Sequence, residues 1–233
     1  MRRFWKEVTT EQTSFGHAVR LDGRPVKTPT RNELALPTRR LAEAVVAEWE
    51  AVSETIDPAL MPMTGFANAA IDRIAPDRAG FVASIAAYGE SDLLCYRAEA
   101  GEPLAERQAV LWDPWLDWAR NRYDVGFILV EGIMHQPQPE ATLATLRAAV
   151  GARGTFELAA MAKLAHLSGS LILTLAVVER AGDVQDIWYA ACLDELWQEE
   201  LWGADHWAQK NRSDREGEFM AAVRFLKLLR TQT

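Results

Sequence analysis

Only two cysteines occur among 233 residues, Cys95 and Cys192, each in an apolar, helix-like stretch. That usage fits buried thiols in a reducing compartment better than a disulfide framework. No apolar run reaches the roughly 18 residues that mark a membrane span. The longest, Leu167 to Val178, is interrupted by Ser168, Gly169, Ser170 and Thr174 and reads as a core helix. Phosphate cradles are missing too, since neither G-x-x-x-x-G-K-[ST] nor G-x-G-x-x-G is present. Gly151-Ala152-Arg153-Gly154 reads as a helix–helix turn in preference to an anion cradle. The histidines His17, His135, His166 and His206 stand apart, with no partner at zinc-site spacing. Ser168-Gly169-Ser170 lacks the frame of a nucleophile elbow. No metal, no cofactor and no enzymatic chemistry is implied. The opening Met1-Arg2-Arg3-Phe4-Trp5-Lys6 meets Glu7 without an apolar core, unlike a signal peptide, and is too short for a transit peptide. The expectation is a cytoplasmic protein that stays where it is made.

Positive charge is scarce except at the start. Residues 1–40 carry nine Lys/Arg against four Asp/Glu, a balance of +5, and the net charge of −8 leaves −13 on the remainder. So acidic a body excludes nucleic acid as an expected partner. The basic segment either docks on the acidic body or faces outward. Hydrophobic residues at 49% and charged residues at 25% describe a folded globular chain rather than a disordered one. Nine tryptophans is a high number, and indoles gather in cores and at protein interfaces.

The expected fold class is α+β: a small antiparallel β-rich N-terminal domain, residues 1–37, then a larger mostly α-helical domain, residues 38–233. Phe15, His17, Val19 and Leu21 alternate as in a half-buried strand. Asp22-Gly23 is a two-residue hairpin turn, and Pro25 places the following strand at an edge. Asn32 to Leu36 forms another short strand. From Thr38, an N-cap, the period becomes helical through Leu41, Val45, Trp49 and Val52. Pro58 and Pro62 break the chain, and Ala67, Ala70, Ile71 and Ile74 mark a short helix. Helices are expected at 77–97, at 104–122 with a kink at Pro114, and at 139–150, 155–179, 183–202 and 214–230. Phe127 to Val130 reads as a short strand.

The segment Asp183 to Gln209 is the most informative. It holds Asp183, Asp186, Asp194, Glu195, Glu199, Glu200 and Asp205, no Lys or Arg, and Trp188, Trp197, Trp202 and Trp207. Asp183 and Asp186 suit a helix start. Glu195, Glu199 and Glu200 crowd toward the C-terminal end, against the helix dipole, with Glu195 and Glu199 a like-charge i,i+4 pair. Such an arrangement needs a compensating partner. It is internal, from Lys210, Arg212 and Arg215 or the basic N-terminal unit, or external, from basic groups of another protein beside aromatic anchors. A catalytic pair of carboxylates in a cleft, or His166 there, is the enzymatic alternative.

Several motifs resemble one family. Leu34-Ala35-Leu36-Pro37-Thr38, Ala47-Glu48-Trp49-Glu50, Met61-Pro62-Met63-Thr64 and Ile71-Asp72 are similar to its opening segments. Asp92-Leu93-Leu94-Cys95-Tyr96-Arg97, Gln108 with Trp112-Asp113-Pro114, Ser170 to Leu173, and Leu193-Asp194-Glu195-Leu196-Trp197-Gln198 to Trp202-Gly203 continue the match in order. The family is that of mitochondrial and alphaproteobacterial chaperones for the alpha subunit of the F(1)-ATPase. The resemblance implies a two-domain, monomeric protein that binds unassembled alpha subunit, keeps it competent for assembly with beta, and hydrolyses no ATP. It implies a role for the closing-segment acids Glu195, Glu199, Glu200 and Asp205, and joined with the aromatic reading of that segment the expected partner-binding residues are these with Trp197 and Trp202. Mitochondrial members carry a presequence absent here, which implies a bacterial member. Met61-Pro62-Met63-Thr64 reads as a proline turn with two core methionines before it reads as a partner contact.

Overall fold

The computed structural model describes residues 2–132 and 134–230. Its chain gathers into two compact units, one from Met1–Arg78, Gly154–Ala160 and Met220–Thr233, the other from Ala79–Arg153 and Met161–Phe219. An α+β architecture, sheet first and helices after, is what the sequence led us to expect. The units are drawn differently from the boundary expected between residues 37 and 38, because a small sheet with one apolar face needs helices to cover it.

In the first unit, β1 (Val8–Thr13) pairs antiparallel with β2 (Gly16–Leu21). On its other side β2 meets β3 (Arg24–Pro25) near Leu21 and β4 (Ala35–Leu36) near His17. Asp22 and Gly23 both have positive φ, 47° and 77°, as the tight hairpin requires. The Asp22 carboxylate also accepts the main-chain N–H groups of Lys6 and Glu7. Phe15, expected to face inward, sits at the β1–β2 turn and is 80% exposed; Ala18, Val19 and Leu21 take the buried positions. Strand β1 itself is too polar to show an alternation, with only Val8 buried.

Helix α1 (Arg39–Ala51) starts where Thr38 Oγ1 accepts from Leu41 N, and the same hydroxyl donates to the carbonyl of Leu228. Leu41, Val45, Trp49 and Val52 are buried, as their spacing predicts. The basic N-terminus docks partly on its own chain, for Arg3 donates to the carbonyls of Glu50 and Val52 at the end of α1. A cation there favours the negative pole of the helix. Helix α2 (Pro62–Ala69) begins on proline and has no cap of its own. Glu48 supplies one from α1, accepting from Met63 N at 2.7 Å and Thr64 N at 2.8 Å. Met61 and Met63 are buried, which agrees with the core reading of that motif. A π-turn, Ala70–Ile74, follows, and its Asp72 accepts from Thr28 Oγ1, Thr30 N and Asn32 Nδ2. Burial opposes ionisation of Asp72, but those hydrogen bonds hold its pKa down to about 2. Phe66 and Phe156 both pack on buried Phe225.

The second unit holds α3 (Arg78–Ala86), β5 (Tyr96–Arg97), α4 (Pro103–Tyr123), β6 (Val130–Glu131), α5 (Glu140–Gly151) and α6 (Thr155–Ser168), the last begun in the first unit. Helices α7 (Leu171–Glu179), α8 (Val184–Ala191), α9 (Leu193–Trp202) and α10 (His206–Leu229) follow, α10 ending in the first unit. Val130 and Glu131 pair parallel with Tyr96 and Arg97. Pro114 is accommodated inside α4, which ends at Asp124 in the left-handed region.

Three expected helices are shorter than their periodicity suggested, and one is longer. The helix expected at 77–97 stops at Ala86, and the one at 155–179 is two helices parted at Gly169, whose φ is 64°. Ser170 caps α7 by accepting from Leu173 N, and Asp92 joins the two regions where the chain resumes. Its carboxylate accepts from Leu94 N at 3.1 Å and from Ile172 N at 3.0 Å, starting a 3₁₀ turn and a helix eighty residues apart. The 183–202 helix parts at Cys192 into α8 and α9. The last helix starts at His206 rather than 214.

A side chain at Gly16, where φ is 121°, would run into the carbonyl oxygen of Leu36. Gly16→Ala is therefore expected to lower stability by roughly 2 kcal/mol or more, read from the urea midpoint. Burial pushes the Asp92 carboxyl up from 3.8 to about 6 against its hydrogen bonds. A raised acid favours the protonated folded form, so its contribution is full below about pH 4 and is lost as pH rises through about 6. Stability should carry a component on the order of 2 kcal/mol that declines across that window. Asp92→Asn should lack this decline in denaturant titrations at stepped pH.

Candidate functional site

Helix α9 keeps its acidic residues by borrowing cations. Glu195 accepts from Arg215 at 2.7 Å and Glu199 from Arg212 at 2.5 Å, both arginines standing on α10. Glu199 also accepts from Gln209 Nε2, and these bonds from Arg212 and Gln209 hold its pKa below the usual carboxylate range. Glu200 accepts from Arg107 of α4 at 2.5 Å, and the Arg107 guanidinium lies over the Trp197 ring, 5.5 Å from its centroid. Asp194 takes a hydrogen bond from Gln108 Nε2, while Gln108 Oε1 accepts from Ala98 N. Burial pushes the Asp194 pKa up. Asp205 pairs with no cation among the described residues and caps α10, accepting from Trp207 N at 3.0 Å.

The internal partner is thus the one these glutamates have, from Arg212 and Arg215. Lys210 instead bonds Asp214 within its own helix. Arg107 was not foreseen as a partner. Its only signal was its place beside Gln108 in the α4 motif.

The indoles divide. Trp188 is 5% exposed, packed against Phe219 at 5.1 Å between ring centroids, with the Arg215 guanidinium over its own ring 5.7 Å from the centroid. Trp197 is half-buried under Arg107. Trp202 and Trp207 are 79% and 75% exposed, and Leu201 beside them is exposed as well. Between α9 and α10 runs an open groove of about 730 Å³. Its lining includes Glu195, Glu199, Trp202, Asp205, Trp207 and Arg212, so four of the six expected partner-binding residues meet there. Trp197 and Glu200 lie on the α9 face toward Arg107. Trp207 was noted for its neighbours in sequence but not expected as a contact.

Other features of the unit are structural. Trp112 Nε1 donates to the Ala190 carbonyl, and Arg97 bonds Asp113 at 2.6 Å while lying over the Trp112 ring. Burial pushes the thiols of Cys95 and Cys192 up to about 12, so neither is poised as a nucleophile. His166 borders a second hollow of about 570 Å³, where Lys163 is already bonded to Glu218. Among the described residues no group of three His, Cys, Asp or Glu is placed to hold a metal ion, and no helix is long and apolar enough to cross a membrane.

A groove open along its length, lipped by exposed indoles and floored by ion pairs, has the form that receives a polypeptide rather than one that encloses a small molecule. The profile of the family described as ATP12 chaperone protein matches residues 2–120. Atp12 of Paracoccus denitrificans is 41% identical, with 98% of each chain covered and a TM-score of 0.94. An aspartate-to-lysine variant of the Paracoccus protein matches at 40% identity with the same coverage and TM-score. A candidate chaperone from Agrobacterium tumefaciens is 39% identical over 98% of this chain and 86% of its own, with a TM-score of 0.93. The chain belongs to the ATP12 chaperone family.

Replacing Arg212 by alanine removes the first cause of the low Glu199 pKa. The side-chain carboxyl of Glu199, followed by carbon-13 NMR against pH, should then titrate closer to the ordinary glutamate range. An unchanged curve would assign the effect to Gln209 alone.

Proposed function

We propose that this protein binds the unassembled alpha subunit of the F(1)-ATPase and keeps it competent to join beta. It hydrolyses no ATP and acts as a single copy in the bacterial cytoplasm. Membership of the chaperone family supports the role. The observation that carries the choice of surface is the exposure of Trp202 at the end of an acid-rich helix, because an indole left in water represents unused binding area.

On this reading Glu195, Glu199, Glu200, Trp197, Trp202 and Asp205 belong to the docking region. Acidic groups around an aromatic anchor steer the encounter with a basic surface, and the aromatic supplies most of the affinity. Release follows when beta offers alpha a larger interface. A catalytic use of the acids fits poorly with three glutamates each engaged by an arginine, since a carboxylate held in an ion pair is not free to reach a substrate.

Co-expression of alpha with the wild-type chain should keep alpha soluble and allow the two to be purified together. Glu195→Lys and Glu199→Lys should each weaken that association by about tenfold or more, with thermal unfolding checking that the variants fold. Alpha that stays insoluble beside abundant wild-type chain would sink the proposal.

A further inference from the structure

We infer that α9 and α10 split the work of the docking region in two, a refinement that rests on the proposed binding of alpha. Trp202 and Trp207 seat an aliphatic segment of alpha that carries a neighbouring cation. Glu195 and Glu199 are bonded by arginines of α10, and act as positioning residues that hold α9 against α10.

The argument begins with what each side chain has left to offer. Glu195 and Glu199 are already engaged by Arg215 and Arg212, and Glu199 by Gln209 as well. Both oxygens of Glu199 are taken, so a partner cation could reach it only by displacing Arg212 or Gln209, an unfavourable exchange, while Glu195 meets Arg215 through one oxygen. The indoles are in the opposite condition. Trp202 and Trp207 are 79% and 75% exposed, and both line the same groove. Gly203 and Ala208, next to these tryptophans in sequence, also line it and bring little side chain.

The groove has room for side chains. Its volume is about 730 Å³, and Gln198 and Asn211 in its lining offer amides to a peptide backbone. An aliphatic side chain between or beside the two rings would take them out of water. The cation of the occupant follows from charge complementarity. Asp205 stands at the groove with its Oδ1 on Trp207 N and no arginine or lysine bonded to it, and residues 183–209 hold seven carboxylates and no Lys or Arg.

The test uses full-length chain and purified alpha subunit, with binding measured by titration. Trp202→Ala and Trp207→Ala should each weaken binding by about 30-fold, the loss typical of an interface anchor. Their unfolding midpoints should stay near wild type because neither ring is buried. Val110→Ala, an exposed apolar position on α4, is the control and should bind as wild type does. For the positioning clause, Glu199→Arg should lose binding, and combining it with Arg212→Glu should restore it, since the ion pair is rebuilt in reverse. Wild type that binds alpha while the tryptophan variants bind equally well overturns the seating role alone. A reversed pair that folds and stays unable to bind overturns the positioning role. Wild type that fails to bind alpha overturns the proposed function, and this inference with it.

Discussion

Carboxylates that accept main-chain N–H groups from distant segments hold each unit of this protein in register. Glu48 reaches from α1 to start α2, Asp72 gathers the loop at Thr28 to Asn32, and Asp92 starts a 3₁₀ turn and α7 together. In each case a charged group supplies what a helix start or a loop lacks, a strong acceptor for orphan donors. Three of the family motifs along the chain, those holding Glu48, Asp72 and Asp92, have this office. They define the scaffold, and the docking groove is built on it by α9 and α10.

What could be read from the sequence follows from how far each interaction reaches. The Asp22-Gly23 hairpin and the Thr38 cap are local, written within four residues of where they act, and both were legible. The breaks at Ala86 and Gly169 were not. Apolar residues run through both, and one group that ties the two regions together, Asp92, lies eighty residues from Ile172. Local pattern cannot see such a partner. The same limit explains Phe15, whose alternation with Val19 and Leu21 suggested an inward side chain while the turn carries it outside.

At the site, the dipole argument identified the right residues for a reason that the structure resolves. Acids placed against a helix pole do require cations, and the arginines of α10 at i+13 and i+20 were near enough in sequence to be named. Arg107, 93 residues from Glu200, was not. Nor could composition separate Trp188 from Trp202, because indoles in one acidic stretch look alike until neighbours are known. Phe219 covers the first, and the second stands beyond the last residues of α9 that pack.

Two wet indoles have a cost when no client is present. Aromatic surface adheres to aromatic surface, so copies of the free protein invite one another as much as they invite a ligand. Electrostatics opposes it: every copy bears a net charge of −8, and like-charged molecules meet less often than neutral ones. The acidity of the chain therefore acts as a spacer in solution, one that added salt would weaken.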